Sequence, residues 1–154
     1  MNKPVLRTEP YDVEKIRADF PILAREVYGK PHVYLDNAAS AQKPQAVIDA
    51  VGEAYRNEYS NVHRGMHYLS NAATEKFEAA RETARAFLNA ASTDEIVFAS
   101  GATDAINLVA SSFAEPMIEP GDEIILSVLE HHSNIVPWHF LRERNGAVLK
   151  YVPV

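Results

Sequence analysis

The chain has 154 residues, 47% of them hydrophobic, and a formal net charge of −6 at pH 7, which is enough apolar material for one ordinary domain with a sizeable core. The acidic balance and the lack of any basic run exclude a general affinity for nucleic acid or an anionic membrane surface, although a small anion can still bind through local dipoles. No cysteine occurs, which excludes a disulfide framework, a thiolate metal site and a cysteine nucleophile within these residues.

Residues 1–11 combine prolines with Lys3, Arg7 and Glu9 and predict a loose leader. They show no apolar signal-peptide core, and no later run is long enough to span a bilayer, so a soluble cytoplasmic protein is expected. From Asp12 a short amphipathic helix carries Val13, Ile16 and Phe20 and ends or turns at Pro21. The Gly29-Lys30-Pro31 break leads to a brief strand, His32 to Leu35, that closes on Asp36. The small, polar run from Asn37 to Pro44 either leaves room for a ligand or is an ordinary exposed loop. Pro44 suits the first turn of a helix with Val47, Ile48, Val51 and Tyr55 on one face, fading near Asn57.

Tyr59 to His67 has no clean period, and its polar residues and Gly65 predict a loop. His63 and His67 have a chelating spacing if helical. Gly65 lies between them and no glutamate follows His63, so no metal site is assigned and a ligand-facing histidine is preferred. Ser70 is expected to cap a long helix reaching about Ala90. Its apolar stripe is Phe77, Ala80, Ala84, Phe87 and Leu88, while Glu75, Lys76, Glu78, Arg81 and Glu82 form a solvated face.

Beyond this helix the pattern becomes alternating. Glu95 to Ala99 predicts a strand, Thr103 begins a helix running through Phe113, and Pro120-Gly121-Asp122 makes a turn into a strand from Glu123 to Val128. A helix from about Ser133 to Arg144, the Asn145-Gly146 turn and a strand from Ala147 to Val152 follow. The expected class is α/β: amino-terminal helices and a short strand, then part of a doubly wound, mainly parallel sheet with right-handed crossovers. The chain stops on a strand in mid-alternation, so the sheet is expected to be incomplete at its carboxyl end.

Ligands of such sheets sit beyond the carboxyl ends of the strands. At Gly101-Ala102-Thr103-Asp104 the glycine lets a ligand approach the backbone. The N–H groups of Ala102, Thr103 and Asp104 stand at the positive end of the helix dipole and attract phosphate, with the Thr103 hydroxyl as a further donor. The alternative is a plain cap and tight turn. The next strand brings Glu130, His131, His132, Ser133 and Asn134 to the same edge, where a flat imidazole can stack on a ring whose phosphate is held at Thr103. One of the two histidines is left to cap or to face solvent, and Trp138 is assigned to the core.

With these residues in place the chain resembles the amino-terminal part of a group II cysteine desulfurase, the type serving iron-sulfur cluster assembly, within the class V aminotransferase family of pyridoxal-phosphate enzymes. The resemblance rests on Arg17-Ala18-Asp19-Phe20-Pro21, on Tyr34-Leu35-Asp36-Asn37-Ala38-Ala39-Ser40-Ala41-Gln42-Lys43-Pro44 and on Val62-His63-Arg64-Gly65. It continues through Ala73-Thr74-Glu75-Lys76, Gly101-Ala102-Thr103-Asp104-Ala105-Ile106-Asn107-Leu108-Val109 and Glu130-His131-His132-Ser133-Asn134-Ile135-Val136-Pro137-Trp138. It implies a pyridoxal 5′-phosphate cofactor, the fold type I architecture, and residues 12–154 as the amino-terminal portion of one aminotransferase domain. His131 is implied as the histidine that stacks on the pyridine ring and assists proton transfer. Thr103, with the backbone at Ala102, is implied as the phosphate turn, and Ala38, Ala39 and His63 as lining for the substrate L-cysteine.

The implied reaction converts L-cysteine to L-alanine, with the sulfur held as an enzyme persulfide and passed to a sulfur-acceptor protein, in a cytoplasmic homodimer. Two positions depart from the family pattern: Ala102 is often a second threonine, and Asp104 is often glutamate. The family also needs a Schiff-base lysine following a serine and a histidine, an aspartate, carboxylate-binding arginines and a cysteine. None of the lysines here follows such a pair, so these groups are expected beyond Val154 and the residues in hand are expected to be inactive alone. A selenocysteine lyase or a cysteine sulfinate desulfinase would use nearly the same residues. Outside the enzymes, the open reading is a non-catalytic module that binds a phosphorylated ligand or a partner.

Overall fold

The computed structural model describes residues 10–153, and the chain divides into two compact units, Met1–Leu88 and Asn89–Val154. Of the expected leader, residues 1–9 lie outside the described residues, and Pro10 and Tyr11 are exposed. Among the described residues, no helix is long and apolar enough to cross a membrane.

In the first unit the Asp12 carboxylate accepts the Lys15 N–H at 3.0 Å and caps helix α1 (Val13–Ala18). Phe20, expected on the same helix, lies past its end in extended backbone (φ −110°, ψ 95°). The cause is Pro21, which bars the residue before it from helical dihedrals. Strands β1 (Glu26–Val27) and β2 (Lys30–Pro31) then form an antiparallel hairpin. Its turn residues Tyr28 and Gly29 both have positive φ, 55° and 70°, as in the type I′ turn whose twist suits a hairpin.

The strand expected from His32 to Leu35 does not form. His32 N–H donates to the Arg25 carbonyl at 3.0 Å, and the ladder ends there, because no described strand lies beside Val33–Leu35. Burial still alternates along the segment, His32 and Tyr34 being half-buried and Val33 and Leu35 exposed.

Helix α2 (Gln45–Glu53) follows Pro44 and is tied to α1 by the Gln45 N–H donating to the Asp19 carbonyl at 2.8 Å. It continues as a π-helical turn over Ala54–Glu58. Its apolar face is open in this unit, from 43% exposed at Val47 to 68% at Tyr55. Helix α3 (Tyr68–Leu88) has 21 residues. Ser70 lies inside it and does not cap it. His67 takes the cap position, its carbonyl accepting the Asn71 N–H at 3.1 Å and its Nδ1 facing the Ser70 N–H at 3.4 Å. Phe87 and Leu88 of the expected buried stripe are exposed, whereas Arg81 of the expected solvated face lies over the Phe77 ring, 5.1 Å from its centroid.

In the second unit the strand expected from Glu95 is also absent. Ser92 and Glu95 form a capping box around a 3₁₀ turn, Thr93–Glu95: Ser92 Oγ accepts the Asp94 N–H at 3.1 Å and Glu95 Oε1 accepts the Ser92 N–H at 2.9 Å. Residues 96–99 join neither described sheet. Helix α4 (Ala102–Leu108) continues as a π-helical turn, Val109–Ala114. Strand β3 (Glu123–Ser127), helix α5 (Val136–Asn145) and strand β4 (Val148–Val152) then make the expected βαβ unit. The strands are parallel and in register from Glu123 opposite Val148 to Ser127 opposite Val152. Ile96, Ala110, Leu126, Leu141 and Ala147 form the buried core. The class is α/β, as expected, and β3 ends at Ser127, with a two-residue turn, Val128 and Leu129, leading to Glu130.

Candidate functional site

The start of α4 is built by its own backbone. Gly101 is the cap residue, in extended conformation (φ 162°, ψ 178°), and nothing lies within 4 Å of where a Cβ would sit, so the approach to the backbone is open. Thr103 is therefore not the cap. It is exposed, and its hydroxyl makes no hydrogen bond among the described residues. Its carbonyl accepts Asn107 Nδ2 at 2.8 Å. Asp104 Oδ2 accepts the Ser100 N–H at 3.1 Å, so this carboxylate closes the turn while its charge suits the helix dipole. Ala102, exposed beside Thr103, adds an N–H and a methyl group.

The second element is the 3₁₀ turn His132–Asn134, which packs against α4. His131 caps it: the Ser133 N–H donates to His131 Nδ1 at 3.2 Å, and Ser133 Oγ lies 2.9 Å from the same nitrogen. An Nδ1 that accepts a backbone N–H carries no proton, so the neutral ring carries its proton on Nε2. His132 is exposed, its ring centroid 6.0 Å from that of His131. Below them runs a hydrogen-bonded chain. Trp138 Nε1 donates to Asn134 Oδ1 at 2.9 Å, Asn134 Nδ2 to Glu130 Oε2 at 2.8 Å, and Ser127 Oγ to Glu130 Oε1 at 3.1 Å. Trp138 is thereby committed to structure, and Glu130 ties the end of β3 to the histidine turn.

Ala38, Ala39 and His63 belong to the first unit. Ala38 and Ala39 are exposed on a tight turn in which the Ala39 and Ser40 N–H groups donate to the Asp36 carbonyl at 3.2 and 3.1 Å. The Tyr34 hydroxyl lies 2.8 Å from the Ser40 carbonyl and 3.1 Å from that of Asp36, and Asn37 Oδ1 accepts the Gln42 N–H at 3.1 Å. This turn is a braced surface, and the small side chains of Ala38 and Ala39 leave it open. A pocket of about 300 Å³ beside it is lined by Ile16, Arg17, Phe20, Leu23, Ala41 and Gln42.

His63 stands on a strained backbone, φ 68°, a conformation that costs a residue with a Cβ about 1–3 kcal/mol and persists only where its surroundings impose it. Those surroundings are one face of α3. Thr74 Oγ1 accepts the His63 N–H at 2.9 Å and donates to the Ser70 carbonyl at 2.7 Å. Ser70 Oγ donates to the Asn61 carbonyl at 2.6 Å and accepts the Gly65 N–H at 3.0 Å. Gly65 is needed for this approach, since a Cβ there would sit 2.4 Å from Ser70 Cβ. The ring of His63 meets Glu78, Nε2 to Oε1 at 3.0 Å, and turns edge-on to Phe77 with centroids 5.7 Å apart.

His67 faces Ser70 instead, so His63 and His67 serve different partners. Among the described residues, no group of three or more His, Cys, Asp or Glu side chains is placed to hold a metal. Sequence reasoning missed the roles of Ser70, Thr74 and Glu78. Their i, i+4, i+8 spacing on one helix face was the available signal.

Residues 33–154 match the family described as aminotransferase class-V. A cysteine desulfurase of Pectobacterium carotovorum is 56% identical over 144 residues, covering 94% of this chain and 35% of that protein. One of Escherichia coli is 56% identical over 94% of this chain and 36% of its own length. Among solved structures, a cysteine desulfurase from Thermococcus onnurineus superposes with a TM-score of 0.80 at 33% identity, over 94% of this chain and 34% of that one. A cysteine desulfurase from Escherichia coli gives 0.74 at 40% identity, over 95% and 35%. The chain thus spans about a third of the length of the curated relatives it matches.

Proposed function

The chain belongs to the aminotransferase class-V family, and we propose that it is the amino-terminal part of a pyridoxal-phosphate-dependent cysteine desulfurase that converts L-cysteine to L-alanine and retains the sulfur. The observation that carries this reading is 56% identity, over 94% of the chain, to relatives bearing that name. Activity, substrate and partners are proposed for the longer protein, with residues 12–154 as one portion of its aminotransferase domain. The anchoring lysine and the sulfur-accepting cysteine are assigned to the part of the relatives that this chain does not span.

The residues present fit the phosphate end of the cofactor. The N–H groups of the exposed residues Ala102 and Thr103, the uncommitted Thr103 hydroxyl and the open space over Gly101 support the reading of this helix start as the place where an oxyanion would bind. His131 would lie against the cofactor ring. When bound, pyridoxal phosphate supplies an electron sink that weakens bonds at the α-carbon of an amino acid.

The side chains of this chain do the rest of the local work. With Nδ1 engaged by Ser133, His131 exchanges its proton only through Nε2, so the ring acts as a one-sided acid or base. Ala38 and Ala39 are exposed and carry only methyl groups, so on this reading their turn leaves space for the substrate. His63 lines the same substrate on this reading. The proposal extends to a cytoplasmic homodimer that hands persulfide sulfur to an acceptor protein of iron-sulfur cluster assembly.

The test is alanine formation from L-cysteine by the longer protein. Turnover that falls in His131→Ala supports the reading. So does cofactor binding weakened about tenfold or more in Thr103→Ala, since a hydrogen bond to a charged group contributes about 1.5–3 kcal/mol. Negligible turnover of cysteine beside ready turnover of selenocysteine overturns the substrate assignment.

A further inference from the structure

We propose that Glu78 is a positioning residue for His63, holding the Nε2–H of its ring so that Nδ1 is presented to the substrate as a hydrogen-bond acceptor. The proposal rests on the reading of His63 as substrate lining. It goes beyond that reading by assigning a role to a carboxylate whose sequence position gives only a solvated helix face.

A lone ion pair would not support this. The His63 and Glu78 side chains are 53% and 41% exposed, and exposed pairs hold their geometry weakly. Here the pair is one side of a closed circuit. Glu78 Oε1 meets His63 Nε2 at 3.0 Å, while Glu78 Oε2 meets Arg81 Nε at 3.1 Å. The Arg81 guanidinium lies over the Phe77 ring, and the Phe77 ring meets the His63 ring edge-on at 90°. Each group is thus held from two sides, so the ordering cost of the pair is shared with contacts that exist already. The backbone under the ring is set separately, by the bond from His63 N–H to Thr74 Oγ1.

The chemical consequence concerns the tautomer. A carboxylate can only accept, so a neutral His63 carries its proton on Nε2, and the lone pair is left on Nδ1. Nδ1 makes no hydrogen bond among the described residues. It is therefore free to accept from a thiol or an ammonium group, the donors that an amino-thiol substrate offers.

The test reads the ring directly. The protein is labelled with ¹⁵N-histidine, and the His63 signals, assigned by their loss in His63→Gln, are recorded about two pH units above the ordinary histidine pKa of about 6.5. The native ring should show the Nε2–H form. Glu78→Gln, whose amide oxygen can accept the same N–H, should retain it, and Glu78→Ala should shift the ring toward a mixture of tautomers. A His63 ring unchanged by Glu78→Ala overturns the proposal. A kinetic arm in the longer enzyme separates it from the reading beneath it. His63→Ala should raise KM for cysteine, Glu78→Ala should raise it less, and the double variant should match His63→Ala alone. A KM untouched by His63→Ala removes the substrate reading of His63. A KM raised by His63→Ala but unaffected by Glu78→Ala overturns the role of Glu78.

Discussion

Replacing Ser70 by alanine removes one oxygen from the side chain that is 1% exposed and is the buried residue among those described in the first unit. That oxygen donates to the Asn61 carbonyl at 2.6 Å and accepts the Gly65 N–H at 3.0 Å. An ordinary hydrogen bond contributes about 1 kcal/mol net, and a buried N–H left without a partner costs about 1–3 kcal/mol. Asn61 is exposed and can exchange its bond for water. Gly65 is half-buried and pressed so closely on Ser70 that a methyl group on its α-carbon would overlap the serine side chain, so its N–H is poorly placed to do the same. The expected destabilisation is about 2 kcal/mol. At this chain length that corresponds to a fall in Tm of roughly 4–8 °C. Urea unfolding with an unchanged m-value would measure the free energy and show that the loss lies in the folded state. A change within about 0.5 kcal/mol, the range of an inert surface substitution, would refute the reasoning and mean that water reaches the Gly65 N–H.

Gly65→Ala should destabilise by about 1–3 kcal/mol through overpacking against Ser70, and Ser70→Gly in the same chain should recover part of that loss; additive effects would sink the idea of a shared contact. Asn134→Ala should cut the Trp138 indole from its acceptor, and because the chain has one tryptophan its fluorescence emission reports the change directly; an unaltered spectrum contradicts the hydrogen-bonded chain. On α3, the hydrogen bond from Arg85 holds the Glu82 carboxyl below its ordinary pKa. The folded value is the lower one, so the pair's contribution is present above the unfolded value and is lost as pH falls through the folded value. Arg85→Ala should return the Glu82 titration, followed by NMR, to the ordinary carboxylate range, and a titration that does not move rules out the pair as the cause.

What was legible in the amino-acid order was whatever depends on near neighbours. The α1 start after Asp12, the Pro44 entry to α2, the long helical run of α3 and the helix start near Thr103 all involve atoms within a turn or two of one another, and each begins within two residues of where the pattern places it. The βαβ unit from Glu123 to Val152 was legible as well, because turns at Gly121 and Gly146 bound two short apolar runs around a helix. Likewise the family motifs name His63, Thr103 and His131 without regard to geometry.

Partners distant in the chain were decided by tertiary structure alone. Val33 to Leu35 and Val97 to Ala99 have strand-like composition, but a strand exists only beside another backbone, and the described sheets do not reach them. The α2 stripe is helical in period yet open to solvent, since periodicity sets which side chains share a face and not what covers that face. Ser70 reads locally as a cap, whereas its hydroxyl is taken by Asn61 and Gly65 of the preceding loop. Glu78 reads locally as a solvated charge, whereas the left-handed turn at His63 brings an imidazole back onto α3 to meet it. The sequence by itself determined the helices, the parallel unit and the family; the tertiary structure decided which polar groups serve the histidines, because hydrogen-bond partners are chosen by position in space and not by distance along the chain.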